Sequence, residues 1–398
     1  MQNKIQGGID MYKDGFNEGV NRLGTNAVKY DKYKANFNTN EDDIIPMWIA
    51  DMDFKNCDEI TKALQNKLST GNLGYDTVNG YYKSVVNWMK NRHNVDINVE
   101  DVVYTPGVVT AINFLLKILI KENDKVLVQS PVYHSFFRVL NENKCDIVQS
   151  ELFIKNNRYE IDFDEFESKI STGVKVLILC NPHNPIGRVW TKEELERIVE
   201  ICESYKVFII SDEIHSDLVF KGYKHTSLTS AAPYYKDNIV TLTAPSKTFN
   251  LAGLYVSNAI ITDEKLRNRY KELFSTTPNV LGAEALIAAY NKGETWLEEL
   301  LQYIESNYNY VLNFVNKNIP KIKVIKQEGT FLTWLDCREL GLSDDELERF
   351  FLEKAKLALS TGTAFGKGGS GFMRMNIGCP ISTVKEALER LKNAVDNI

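Results

Sequence analysis

The chain is poor in the features that mark several broad classes of protein. Its six cysteines, Cys57, Cys145, Cys180, Cys202, Cys337 and Cys379, are scattered, and no two form a C-x-x-C pair. That scatter excludes the usual zinc-binding spacings. Free, mostly buried thiols in a reducing cytoplasm are the expectation. Long apolar runs are missing too. The strongest, Ile112 to Ile120, is short and interrupted by Lys117, which suits a buried helix and not a membrane span. Met1 to Gly8 lacks the apolar core of a secretory signal. Positive charge is in the minority, with 47 Lys and Arg against 53 Asp and Glu and a net charge of −6. That balance argues against a nucleic-acid surface or a polybasic membrane anchor. No internal repeat or low-complexity stretch appears.

What is present is an ordinary globular composition, 43% apolar and 25% charged, over 398 residues. That length suffices for two or three domains. In the middle of the chain, short apolar runs alternate with helix-like segments. Lys125–Ser130, Val174–Cys180, Val207–Asp212 and Ile239–Thr243 read as strands. Nearly continuous apolar runs suit a parallel sheet covered on both faces. Between the second and third lies a helix from Thr191 to Cys202, opened by a Thr191–Glu194 capping box. The expectation is an α/β fold whose large domain, over residues 46–292, holds a mostly parallel central sheet. The last hundred residues read differently: a long helix from about Glu294 to Asn318, strands at Lys323–Lys326, Gly329–Asp336 and Phe372–Ile377, and capped helices at Ser343/Glu346 and Thr383/Glu386. Residues 293–398 are expected to form a smaller α+β domain, joined by residues 1–45.

Ligands of an open α/β sheet gather at the carboxyl ends of its strands. Thr105-Pro-Gly107 turns into an apolar helix, whose first amides could seat a phosphate. Tyr133, after the first strand, could lay its ring on a planar cofactor, or be a core tyrosine. His134 beside it has no evident part. The loop Asn181-Pro-His-Asn-Pro-Ile-Gly-Arg188 follows the second strand, and Asn184 could donate to a phenolate oxygen. Asp212 ends the third strand. A carboxylate there needs a cation, unless it merely caps a helix. His215 is either a partner in the same pocket or a structural histidine. Lys247 follows the fourth strand, within Ser246-Lys-Thr-Phe-Asn250, and Ser246 could bond a phosphate. Arg374 sits in an apolar strand and offers a fork for a carboxylate, or a structural ion pair. An amine, a carboxylate and an amide donor gathered at strand ends are what pyridoxal phosphate needs.

In chain order, T-P-G, P-x-Y, N-P-H-N-P-x-G, S-D-E-I-H, S-K-T-F-N-x-A-G-L and F-x-R-x-N resemble the fold-type I pyridoxal-phosphate enzymes of the class I/II aminotransferase superfamily. Met47-Trp-Ile-Ala-Asp-Met-Asp-Phe54 and the glycine-rich run Ala364–Phe372 narrow the resemblance to the MalY/PatB-type cystathionine β-lyases. The resemblance implies a carbon–sulfur lyase. Lys247 would anchor pyridoxal 5'-phosphate, and Asp212 would pair with its ring nitrogen. Asn184 and His215 would approach its phenolic oxygen, and Tyr133 would stack on the ring. The amides of Gly107, Val108 and Val109, with Ser246, would hold the phosphate. Arg374 would bind the carboxylate of an amino-acid substrate. Tyr75 would reach into a neighbouring subunit's site, which implies a homodimer. Catalysis would fall to Lys247, with Tyr133 and Asp212. No metal, nucleic-acid or membrane partner is implied. Where many aminotransferases of the superfamily carry a phosphate-binding arginine, eight residues after the lysine, this chain has Tyr255. That departure favours a lyase over an aminotransferase. One branch of the resemblance also implies a regulatory protein that partners a transcription activator while retaining lyase activity.

Overall fold

The structure, a computed structural model, describes residues 15–397. The Met1–Gly8 reading and the start of the 1–45 span lie outside the described residues. Seven strands, β1 (Val102–Thr105), β2 (Lys125–Ser130), β3 (Asp146–Glu151), β4 (Val174–Cys180), β5 (Phe208–Asp212), β6 (Ile239–Thr243) and β7 (Ser257–Ile261), form one sheet. Their spatial order is β1-β7-β6-β5-β4-β2-β3. The neighbours from β6 across to β3 are parallel. Only β7 runs against both its neighbours. Two reversals cancel, so β1 runs with the parallel set. The carboxyl ends of all strands but β7 therefore lie along one edge, where ligands collect in such sheets.

The expectation of a mostly parallel α/β sheet holds, and the four strands read from apolar runs are its centre. Three strands are additional. β3 is an edge strand of mixed composition, Asp146-Ile-Val-Gln-Ser-Glu151, with only Ser150 buried, so it carries no apolar signature. β1 has only four residues, and β7, Ser257-Asn-Ala-Ile-Ile261, opens on two polar ones. The helix after the second predicted strand spans Lys192–Ser204, with both hydrogen bonds of the Thr191–Glu194 box formed.

A second, antiparallel sheet holds β8 (Lys323–Val324), β9 (Leu332–Asp336), β10 (Ser360–Thr361) and β11 (Phe372–Asn376), in the order β8-β9-β11-β10. Side chains alternate faces along β11. Met373 and Met375 enter the largest apolar core. Phe372 turns the other way and stacks on Trp334, centroids 5.3 Å apart. Arg374 shares that face with Phe372. Fully burying side chains of this size contributes about 1.5–3 kcal/mol each, so the strand is firmly seated. The long helix covers Glu294–Asn318 as expected. The Thr383–Glu386 cap does not form. The last helix starts earlier, at Ile381, after Pro380. The Ile381 N–H is taken by the Tyr303 hydroxyl at 2.9 Å, a cap supplied from another helix. Glu386 instead pairs with Arg390, one turn on.

Of the chain before the large sheet, residues 43–46 lie on the C-terminal part, while the helices Asp58–Ser69 and Tyr81–His93 pack on the helix Val280–Lys292. Ile45–Pro46 pairs in parallel with Leu357–Ala358, and Asp43 pairs with Arg390. Among the described residues, no helix is long and apolar enough to cross a membrane.

Candidate active site

At the carboxyl edge of the large sheet lies a cavity of about 220 Å³. Gly107, Val108, Val109, Tyr133, Asn184, Asp212, His215, Ser246 and Lys247 all line it, so the structure brings nine of the expected site residues together. A wider groove of about 1320 Å³ lies elsewhere. Its Arg92 is already paired with Glu298 at 2.8 Å and Asp217 at 3.2 Å, whereas the buried charges at the smaller cavity are under-paired.

Each side chain reaches the cavity for a local reason. Gly107 precedes the helix Val108–Leu119, and the first amides of that helix have no intrahelical partner. They and the dipole's positive end suit a phosphate. Asn184 stands on a loop stitched by His183 N–H to the Arg188 carbonyl, 2.7 Å, and Gly187 N–H to the His183 carbonyl, 2.8 Å. Lys247 lies on the single turn Pro245–Thr248, directly after β6.

Three charges here are under-paired. Asp212 is 2% exposed and accepts one hydrogen bond, from Ile214 N–H at 3.1 Å. It caps no regular helix. Burial pushes its carboxyl up to about 7, against the pull of that N–H and of Lys247. A cation set against it would restore the carboxylate. Lys247 Nζ donates to the Ala50 carbonyl at 2.6 Å. Burial, then the Arg374 charge, push the amine down to about 8, while Asp51 and Asp212 pull it back up.

Arg374 is 2% exposed. Nη1 donates to Asn184 Oδ1 at 3.0 Å, and Nη2 to the Trp48 carbonyl at 2.8 Å and Ser360 Oγ at 3.1 Å. Among the described residues its Nε has no partner. Among the described residues no carboxylate forms a salt bridge with it, so the ion-pair reading of this arginine fails. Burial pushes it down to about 10. By accepting from Arg374, the Asn184 oxygen turns its amide N–H groups away from the guanidinium, leaving them free to donate. Arg374 does not itself line the cavity; it meets Asn184, which does.

His215 is 2% exposed, and its Nδ1 has no partner among the described residues. Burial and the charges of Lys247 and Arg374 hold it neutral. His134, which the sequence left without a part, sits near Arg374 and Lys247. It is held neutral, at about 4, by desolvation and then by the charges of Arg374, Arg138 and Lys247. Tyr75 does not join the cavity within one chain; it stands fully exposed. Tyr255 lines the cavity, is 67% exposed, and adopts φ 50°.

The structure adds residues that side-chain reasoning missed. The Trp48 and Ala50 carbonyls hold Arg374 and Lys247, and Phe365 lies under the guanidinium at 4.9 Å. The Met47–Phe54 and Ala364–Phe372 runs were the available signal, but a backbone carbonyl has no residue type to read.

The cavity fits a pyridoxal phosphate. It offers free helix amides and a hydroxyl for the phosphate, and an orphaned carboxyl for a ring cation. It also offers an amide donor, and an amine held close to neutrality.

A family model described as aminotransferase class I and II matches residues 42–391. Cystathionine beta-lyase PatB of Bacillus subtilis (strain 168) is 42% identical over 386 residues, 96% of this chain and 99% of that one. Cystalysin from Treponema denticola, solved with a pyridoxal 5'-phosphate cofactor, superposes with a TM-score of 0.92 at 36% identity, covering 96% of this chain and 98% of that one. A pyridoxal-phosphate-bound protein of Clostridium difficile 630, described as an aminotransferase, superposes at 0.93 with 44% identity, covering 96% and 99%. The chain thus belongs to the class I and II aminotransferase family, and within it to the group of MalY/PatB-type cystathionine β-lyases.

Proposed function

We propose that this protein is a pyridoxal-phosphate-dependent carbon–sulfur β-lyase. It cleaves cystathionine or related cysteine S-conjugates to pyruvate, ammonia and a thiol. One observation carries the reading: a buried arginine without a carboxylate, Arg374, stands beside an amine poised near neutrality, Lys247. That pair suits a substrate bearing a carboxylate and an acidic Cα–H.

When bound, pyridoxal phosphate supplies a ring that takes up the electron pair left at Cα. The remaining work falls to the chain. Lys247 is the residue to hold the cofactor's aldehyde, and Asp212 the residue to keep its ring nitrogen charged. Tyr133 would stack on the ring, and Asn184 and His215 would approach its phenolic oxygen. The amides of Gly107 to Val109 and Ser246 Oγ would hold the phosphate. Arg374 clamps the substrate carboxylate with its fork, which sets the Cα–H bond toward Lys247. Lys247 Nζ would take that proton. The β-carbon then loses its thiolate, with Lys247 or Tyr133 returning a proton to sulfur. The three-carbon product hydrolyses to pyruvate and ammonia.

Tyr255, in place of an arginine, leaves the phosphate to neutral donors. This favours the lyase over amino transfer, which begins with loss of the same proton. Full exposure of Tyr75, beside exposed Leu73, supports a homodimer in which Tyr75 completes the partner's site. The contacts of the N-terminal segment support a division into 46–292 and 1–45 with 293–398. Six unpaired thiols suit a reducing cytoplasm. Lys247→Ala is expected to abolish pyruvate release from cystathionine and the part of the holoenzyme's absorbance that depends on the covalent bond to the lysine. Normal turnover in that variant would overturn the proposal.

A further inference from the structure

The segment Trp48-Ile-Ala-Asp-Met-Asp53 crosses the site as a strap, and every carbonyl along it accepts a hydrogen bond. Its Trp48 and Ala50 carbonyls accept from Arg374 and Lys247. Asn376 Nδ2 donates to the Ile49 and Asp51 carbonyls at 2.5 and 2.6 Å. Asn250 holds Met52 through both N–H and carbonyl, 2.9 Å each.

The strap's two carboxylates face away from these bonds, into a cluster of cations. Asp51 forms a two-pronged pair with Arg22, at 2.9 and 2.6 Å. Asp53 is 3% exposed and meets Arg22 Nη1 at 2.9 Å, Lys29 Nζ at 2.7 Å and the Tyr30 hydroxyl at 3.0 Å. Lys29 is itself 1% exposed and stands 3.8 Å from Asp51. Two buried or half-buried acids with two cations cost desolvation energy that apolar residues would not. Stitching the N-terminal segment down is therefore a weak reason for them.

Their position gives a stronger one. The Ala50 carbonyl only accepts, so it holds Lys247 Nζ by an N–H whether the amine is charged or neutral, and leaves the lone pair free for reaction. The Asp51 carboxylate follows in the chain and favours the charged amine. Asp212 acts in the same direction from β5, and Arg374 from β11 acts against it. His134 and His215, from the remaining walls, are neutral there.

We propose that Arg22, Lys29, Asp51 and Asp53 are positioning residues for the reaction. They fix the strap so that the Ala50 carbonyl aims Lys247, and the charge on Asp51, offset by Arg22, governs how readily that amine gives up its proton. This rests on Lys247 being the cofactor anchor.

The test is a pH titration of the holoenzyme's visible absorbance, with the pH profile of kcat/KM beside it. It uses the wild type, Arg22→Met, Arg22→Lys, Asp51→Asn and Lys247→Ala. Removing the arginine leaves Asp51 unopposed, so Arg22→Met moves the midpoint up. Asp51→Asn moves it down. Each shift is on the order of half a pH unit or more. Arg22→Lys stays close to wild type. Loosening of the strap alone cannot produce shifts of opposite sign. If Arg22→Met fails to fold, the downward shift in Asp51→Asn decides. Shifts of one sign, or no shift in variants that melt like the wild type, overturn the positioning role alone. Cofactor that borohydride still fixes covalently to Lys247→Ala overturns the assignment of the lysine, and this role with it.

Discussion

Two buried arginines in this molecule have opposite surroundings. Arg188 is 0% exposed and fully paired: Nη1 bonds Glu328 at 2.6 Å, Nη2 bonds Glu194 at 2.5 and 2.7 Å, and Nε bonds the Tyr159 carbonyl at 2.8 Å. Arg374 is as deeply buried and has neutral partners only, with Nε unused. Two buried aspartates repeat the contrast. Burial alone would raise Asp217, but His93, Arg92 and Thr248 hold it below the usual range. Asp212 has one backbone donor and is raised to about 7. A buried charge that the fold has satisfied is structure. A buried charge left short of partners is a place for a ligand.

That contrast can be broken by substitution, and the largest effect belongs to the satisfied side. Glu328→Gln strips Arg188 of a buried partner and also loses Arg158, paired at 2.7 Å. It is expected to destabilise the fold by about 3–5 kcal/mol, read as a lower denaturant midpoint. A loss under about 1 kcal/mol would mean that the network is slack. Arg374→Met is expected to do the reverse. It removes an uncompensated charge, so stability should hold or rise. Steady-state kinetics should show kcat/KM falling by roughly 100- to 1000-fold, the loss of a bidentate charge-assisted contact. A large melting shift with normal kinetics would move Arg374 to the structural side.

The smallest effect is pH-dependent. In cofactor-free protein Asp212 titrates near 7, against 3.8 for an ordinary carboxyl. Between those values the folded chain holds a proton that the unfolded chain has released, so this group's contribution falls as pH rises. Asp212→Asn lacks that loss. Its stability gain over wild type should grow from pH 4 to pH 7, then level off, at a few kcal/mol at most. A gain that is flat with pH would mean that Asp212 is ionised throughout.

Much of the site was legible because each strand end announces itself. The apolar runs to Cys180, Asp212 and Thr243 locate the sheet edge, and the polar residues just past them line the cavity. The capping box at Thr191 was readable because both of its partners are local. What escaped was non-local or lacked a side-chain signature. Ala50 meets Lys247 across 197 residues, and Trp48 meets Arg374 across 326, each through a carbonyl that any residue would provide. The helix expected from Thr383 begins earlier because its cap, Tyr303, comes from 78 positions away. Arg188 and Arg374 look alike as letters, and only their partners in space separate them.

The most direct test gives the purified holoenzyme cystathionine, with no 2-oxo acid present to accept an amino group, and follows pyruvate, ammonia and thiol together. The account predicts sustained turnover with the three products in equal amounts. Turnover that stalls until a 2-oxo acid is added, with the amino group recovered on that acceptor, would contradict it.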